Sequence, residues 1–184
     1  LCSSAIRGRS VLITGAAGSI GSELARQVLA FEPLNLVLLD NNESALHDLQ
    51  LELTSVGGES ALRAVVGDIT NREKIRAVMQ TVRPQVVFHA AAYKHVPLME
   101  EFPEEAFRVN VLGTMNVFDA AAEFGVGKVV FVSSDKAVNP TSVLGVTKRI
   151  GELLVMARGT ASETVFCAVR FGNVIGSRGS GGPT

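Results

Sequence analysis

From Val11 to Glu23 the chain reads VLITGAAGSIGSE. A short apolar run leads into a turn carrying Gly15, Gly18 and Gly21, and the helical pattern SELARQVLAF (22–31) follows. Glycines at this spacing permit a tight turn and let the backbone approach a pyrophosphate closely. The helix N-terminus then offers free N–H groups and a partial positive charge to the same anion. A glycine pattern alone is weak, but the strand–turn–helix context makes it specific. It predicts a dinucleotide site built from Gly15, Gly18, Ser19, Ile20 and Gly21, the alternative being a purely structural turn.

Asp40 closes the next apolar run, NLVLLD, about 20 residues past the glycines, where an acid can bind the adenosine ribose hydroxyls. A 2′-phosphate would be repelled there, and the following NNES holds no arginine to reverse this, so NAD is expected rather than NADP. The competing reading of Asp40 is a cap for the next helix. Asp68 and Ile69 are expected to flank the adenine. Ala90, Ala91 and Ala92 are small where cofactor would lie against the fourth strand. His89 is as readily a strand-end residue as a functional one.

The remaining chain repeats the alternation. Strands are expected over 10–14, 35–40, 61–68, 85–91, 128–134 and 163–171, and helices over 22–31, 43–56, 71–82, 103–124 and 142–158. Asn71 is the expected cap of the third of these helices, and Pro103 opens the fourth. Continuous apolar strands between helices imply a parallel sheet covered on both faces. Right-handed crossovers make this an α/β, Rossmann-type doubly wound fold with three α/β/α layers. The 184 residues suit one such domain. Residues 1–9 read as a lead-in segment and 10–172 as the NAD-binding domain. The glycine-rich 173–184 reads as the start of a substrate-binding region whose remainder is missing from this stretch.

Composition excludes other classes. Basic and acidic residues nearly balance, 17 against 18, with no basic stripe to hold nucleic acid. No apolar run nears the ~18 residues of a membrane span, so no membrane contact is expected from this stretch itself. Cys2 and Cys167 are far apart and lack ligand spacing, so they read as reduced thiols without a metal site.

The segments TGAAGSIG, GDI, HAAAYKHVPLMEEFPEEAFRVNVLGT, VSSDKAVNPTSVLGVTKRIGE and RFGNVIGSRGS resemble the extended short-chain dehydrogenase/reductases. More narrowly they resemble the polysaccharide-biosynthesis nucleotide-sugar 4,6-dehydratases, which include enzymes acting on UDP-N-acetylglucosamine. The resemblance runs from about Ile6 to Ser180. It implies a hydro-lyase using NAD and a UDP-sugar, in a cytoplasmic domain of an inner-membrane-anchored parent, with a homo-oligomer as a further possibility. A UDP-sugar epimerase or a C5-inverting dehydratase is the alternative of the same class. A non-catalytic NAD-binding sensor is the alternative of another class.

The resemblance also assigns roles. Asp135 would protonate the leaving C6 hydroxyl, which requires a pKa raised by a closed, apolar pocket. Lys136 would remove the C5 proton. Ser134 would hold the C4 hydroxyl, and Lys148 would bind the nicotinamide ribose. Asn110 is expected on the cofactor side, Lys94 and Asn173 in the substrate pocket, and Arg178 at a diphosphate. Relatives place tyrosine, or in larger members methionine, four residues before the lysine; here the residue is Leu144, which cannot be a base.

Overall fold

The computed structural model describes residues 2–58 and 61–172. Six strands form one parallel sheet: β1 (Ser10–Thr14), β2 (Asn35–Asp40), β3 (Leu62–Val66), β4 (Val86–His89), β5 (Lys128–Ser134) and β6 (Val165–Phe171). Their spatial order is β3-β2-β1-β4-β5-β6, and every neighbouring pair is parallel. The order reverses between β1 and β4, which opens a crevice at the C-terminal strand ends.

The helices are α1 (Cys2–Ile6), α2 (Ser19–Ala30), α3 (Glu43–Leu53), α4 (Arg72–Val82), α5 (Val96–Glu101), α6 (Pro103–Phe107), α7 (Thr114–Glu123) and α8 (Val143–Gly159). They cover both faces, as the strand sequences require. Val11 and Ile13 belong to one apolar cluster, with Ala25, Val28, Leu46 and Leu49 from α2 and α3. Leu12, between them, belongs to the other, with Met79, Phe118 and Val155 from α4, α7 and α8. Burying both faces of β1 completely is what its uninterrupted apolar run specifies.

Side-chain caps fix several helix starts. Asn71 accepts from Lys74 N, as expected, and Asn42 and Ser142 cap α3 and α8 in the same way.

Several boundaries differ from the sequence reading. The first crossover helix begins at Ser19, not Ser22, because Gly21 packs directly on the Gly15 carbonyl and draws the first turn onto the strand. The expected helix 103–124 is three pieces: α6, a wider π-type turn at Arg108–Gly113, and α7. Helix α5 was not anticipated. Residues Cys2–Ile6, read as a lead-in, are helical and seat Ile6 in the core.

Candidate active site

The crevice begins at the glycine turn. Gly15 has φ 69, and a Cβ there would overlap the Ala91 backbone. The turn therefore lies directly against Ala90–Ala92, which only glycine allows. No side chain caps α2 at Gly18, so the helix start faces the crevice with its N–H groups available to an anion. Asp40 holds this turn in place: its Oδ2 accepts from Ala17 N at 2.9 Å and its Oδ1 from Asn42 N at 2.9 Å. The helix-cap reading of Asp40 does not hold, because Asn42 is the cap of α3; Asp40 braces the glycine turn and lines the crevice. Asp68, Ile69, Ala90, Ala91, Ala92 and Tyr93 form the rest of this wall. Glycine turn, uncapped helix start and strand-end acid together fit the adenosine diphosphate part of a dinucleotide.

The crevice continues past Ser19, Ile20 and Gly21 to Lys94, Ser134, Lys136, Leu144 and Lys148. Among the described residues its lining at this end has three lysines and no carboxylate. Ser134 caps the tight turn Asp135–Ala137: its Oγ accepts from Lys136 N at 3.2 Å and donates to Asp135 Oδ1 at 3.0 Å.

That turn separates its two ionisable residues. Lys136 lines the crevice, whereas Asp135 is exposed outside it, with Lys136 Nζ 3.5 Å from its Oδ1. The raised Asp135 pKa expected from the sequence is not found. The Ser134 hydrogen bond, helped by the Lys136 charge, lowers it instead and outweighs the opposing effect of desolvation.

Lys148 is buried, at 7% exposure, and Leu144 one turn earlier is 4% exposed. Nζ of Lys148 donates to Val132 O at 2.9 Å and lies 5.0 Å from the Phe131 ring centroid. Desolvation lowers its pKa to about 8.

Asn110 does not line the crevice as expected. It sits in the π-type turn at 2% exposure, and Tyr93 and Thr147 occupy its amide. It belongs to a hydrogen-bonded line beneath the crevice floor. Thr14 Oγ1 is 2.6 Å from His89 Nδ1, and His89 Nε2 is 2.9 Å from Thr114 Oγ1. Thr114 gives its proton to Asn110 O, so His89 donates from Nε2 and accepts at Nδ1. Asn110 Nδ2 then donates to Thr147 Oγ1, which donates to Leu144 O. His89 is thus a buried structural histidine, its pKa lowered to about 3 by desolvation and then by the Lys148 charge.

Residues not anticipated from sequence brace the elements around the site. The Glu152 carboxylate accepts from Ser133 Oγ, Arg149 and, through two nitrogens, Arg170. It ties α8 to the ends of β5 and β6, and its pKa falls to about 2, chiefly through Arg170. Glu100 of α5 accepts from Val143 N at 2.7 Å, joining the Lys94 loop to the start of α8. Arg149 pairs with Glu152 at helical i,i+3 spacing, but Arg170 on β6 carries no sequence periodicity to find it by. Asn173 and Arg178 lie outside the described residues. Among the described residues, no cluster of three metal-ligating side chains occurs, and no helix is long and apolar enough to cross a membrane.

This sheet order, glycine cradle and strand-end acid define a dinucleotide-binding domain of the extended short-chain dehydrogenase/reductase class. The chain belongs to the polysaccharide biosynthesis protein family, whose pattern it matches over residues 11–184. It is 49% identical to the probable polysaccharide biosynthesis protein EpsC of Bacillus subtilis, over 97% of this chain and 30% of that protein. It is 36% identical to a UDP-N-acetylglucosamine 4,6-dehydratase (inverting) of Campylobacter jejuni, over 94% and 51%. A UDP-glucose 4-epimerase of Rickettsia canadensis matches at the same 36%, over 94% and 51%. Among solved structures, Pen from Bacillus thuringiensis superposes with TM-score 0.89 at 38% identity, over 96% of this chain and 55% of that one. The UDP-glucose 4-epimerase of Thermus thermophilus, complexed with NAD, gives 0.78 at 27%, over 91% and 56%. The chain thus spans between about a third and half of the curated relatives it matches.

Proposed function

We propose that this chain is the NAD-binding, catalytic half of a nucleotide-sugar 4,6-dehydratase that serves polysaccharide biosynthesis. The observation that carries the reading is the single crevice that begins at the Asp40–Gly15 cradle and ends at Ser134, Lys136 and Lys148. A sensor has no need of lysines and a turn-capping serine at this end of its site. The substrate proposed is UDP-N-acetylglucosamine, on the strength of the dehydratase relative and the long motifs shared with that family. An epimerase is the second reading, favoured by an equal identity to a named epimerase.

In this reading Gly15, Gly18 and the start of α2 bind the pyrophosphate, Asp40 the adenosine ribose, and Asp68 and Ile69 the adenine. Lys148 stands at the nicotinamide ribose. NAD, when bound, supplies a hydride acceptor that can return the hydride at the end of the cycle. Ser134 holds the C4 hydroxyl. Lys136, in the crevice, removes the C5 proton once a 4-ketone has acidified it. Asp135 protonates the departing C6 hydroxyl, which requires that the rest of the protein cover it, because burial is what reverses its lowered pKa. Lys94, Asn173 and Arg178 contact the sugar and diphosphate. The family resemblance supports reading this as a cytoplasmic domain of a membrane-anchored parent.

The test is to incubate the full-length protein with NAD and UDP-N-acetylglucosamine in D₂O and follow the sugar by proton NMR. A 6-deoxy methyl signal with deuterium at C5 is the expected product. A 4-epimer without a methyl signal would select the second reading, and an unchanged sugar would sink both for this substrate.

A further inference from the structure

Oxidising a secondary alcohol requires a base for the hydroxyl proton, and Leu144 on the crevice wall has none to offer. The other candidates can be compared on their contacts. Ser134 already donates its proton to Asp135 and accepts from Lys136 N. Asp135 lies outside the crevice and is held ionised, hence weakly basic. Lys136 stands beside that carboxylate, and the reading above already assigns it the C5 proton.

Lys148 differs from all three. It is buried, lines the crevice, and its hydrogen-bond partner is the neutral carbonyl of Val132. Among the described residues no carboxylate forms an ion pair with it. An amine that donates one proton to Val132 O keeps its lone pair free for a second partner.

We propose that Lys148, as the uncharged amine, is itself the proton acceptor for the sugar hydroxyl that is oxidised, in place of a phenol at position 144. The inference rests on the nucleotide-sugar reading above. The step balances. The O–H proton passes to Nζ, which becomes ammonium. The C–H electron pair leaves as hydride to the oxidised nicotinamide dinucleotide, and the C–O bond becomes a carbonyl. Burial supplies the neutral form: the Lys148 pKa of about 8 leaves an appreciable uncharged fraction near neutrality, which an ordinary lysine lacks. The surrounding groups do not oppose it. His89 is neutral, Lys94, His95 and Lys136 share the crevice, and Glu152 is engaged by Arg149 and Arg170. Phe131 beneath Nζ holds the ammonium once it forms.

Two measurements on the full-length protein test this. The first needs no turnover: the Nζ resonance of Lys148 in ¹⁵N-lysine-labelled protein, assigned by its loss in Lys148→Met, is followed against pH. A midpoint near 8 supports the proposal, and one at the ordinary lysine value overturns it. The second is the pH profile of turnover. The wild type should show log kcat rising with unit slope below about pH 8. Lys148→Met should lose about 10²–10⁴-fold with that slope abolished. A Lys148→Met rate within threefold of wild type, or an unchanged profile, overturns the proton-acceptor role alone. A wild type that binds dinucleotide with the Lys148 midpoint near 8 yet converts no UDP-sugar overturns the functional reading, and this role with it.

Discussion

Asn110 grips both main-chain polar groups of Tyr93: Oδ1 accepts from Tyr93 N at 2.8 Å and Nδ2 donates to Tyr93 O at 3.0 Å. A side-chain amide thus stands in for a neighbouring strand where β4 has run out. The loop it holds carries Lys94 and leads into α5. Replacing Asn110 by Leu leaves Tyr93 N without its partner and removes the donor to Thr147. The expected cost is about 2–4 kcal/mol of stability, since more than one buried polar group is left unmet. Urea denaturation of Asn110→Leu beside wild type measures it; a difference under half a kcal/mol would contradict the clamp.

Tyr93 offers a direct reporter. The chain has one tyrosine and no tryptophan, and Tyr93 lines both ends of the crevice. Adding NAD should change its fluorescence saturably, after correction for NAD absorbance. In Gly15→Ala the change should be lost at the same concentrations, because the new methyl meets the Ala91 backbone and φ 69 is strained for alanine by about 1–2 kcal/mol. Equal titration curves for the two proteins would count against the cradle.

Glu152 should govern part of the acid stability. Its folded pKa of about 2 lies below the ordinary 4.5. Its contribution is therefore complete above about pH 4.5 and is lost as the pH falls through about 2. At neutral pH Glu152→Gln should cost on the order of 2 kcal/mol, a figure discounted because Arg149 and Arg170 are half in solvent. Thermal melts of both proteins from pH 7 to pH 2 should converge at the acid end.

His89 acts over a different window. Its folded pKa of about 3 lies below the ordinary 6.5, so its stabilising effect is whole above pH 6.5 and is lost progressively down to about pH 3. The slope expected is about 1.4 kcal/mol per pH unit within that window. In His89→Gln this slope should be absent although overall stability is lower. A wild-type curve already flat from pH 6 to 4 would show that the ring protonates without unfolding the site.

The sheet was legible because every central strand is buried on both sides, so its apolar run needs no tertiary context to be read. The glycine turn was legible for a related reason: Gly15 satisfies a backbone constraint that few other residues can. The broken helix at Arg108–Gly113 was not, because apolar spacing continues across it and the π-type turn answers to contacts made elsewhere, at Tyr93 and Thr147. Helix α5 was missed because it is six residues long and follows directly on a loop. Asp135 and Lys136 were singled out in the sequence, but their geometry was not legible there. Adjacent positions in a tight turn diverge, and which one faces the crevice is decided by the Ser134 cap.

The line from Thr14 through His89, Thr114, Asn110 and Thr147 to Leu144 has a direction. Thr14, His89 and Thr114 each give a proton toward α8 and end on the Asn110 main-chain carbonyl; the Asn110 amide starts a second run through Thr147, which ends on the Leu144 carbonyl. No link can be reversed alone. A valine at 14, 114 or 147, tolerable by size, would take away a partner of His89 Nδ1, His89 Nε2 or Asn110 Nδ2 respectively. Drift should therefore be concerted within each run: descendants of this sequence should keep or exchange Thr14, His89 and Thr114 together, and Asn110 with Thr147, leaving correlated traces far from any substrate.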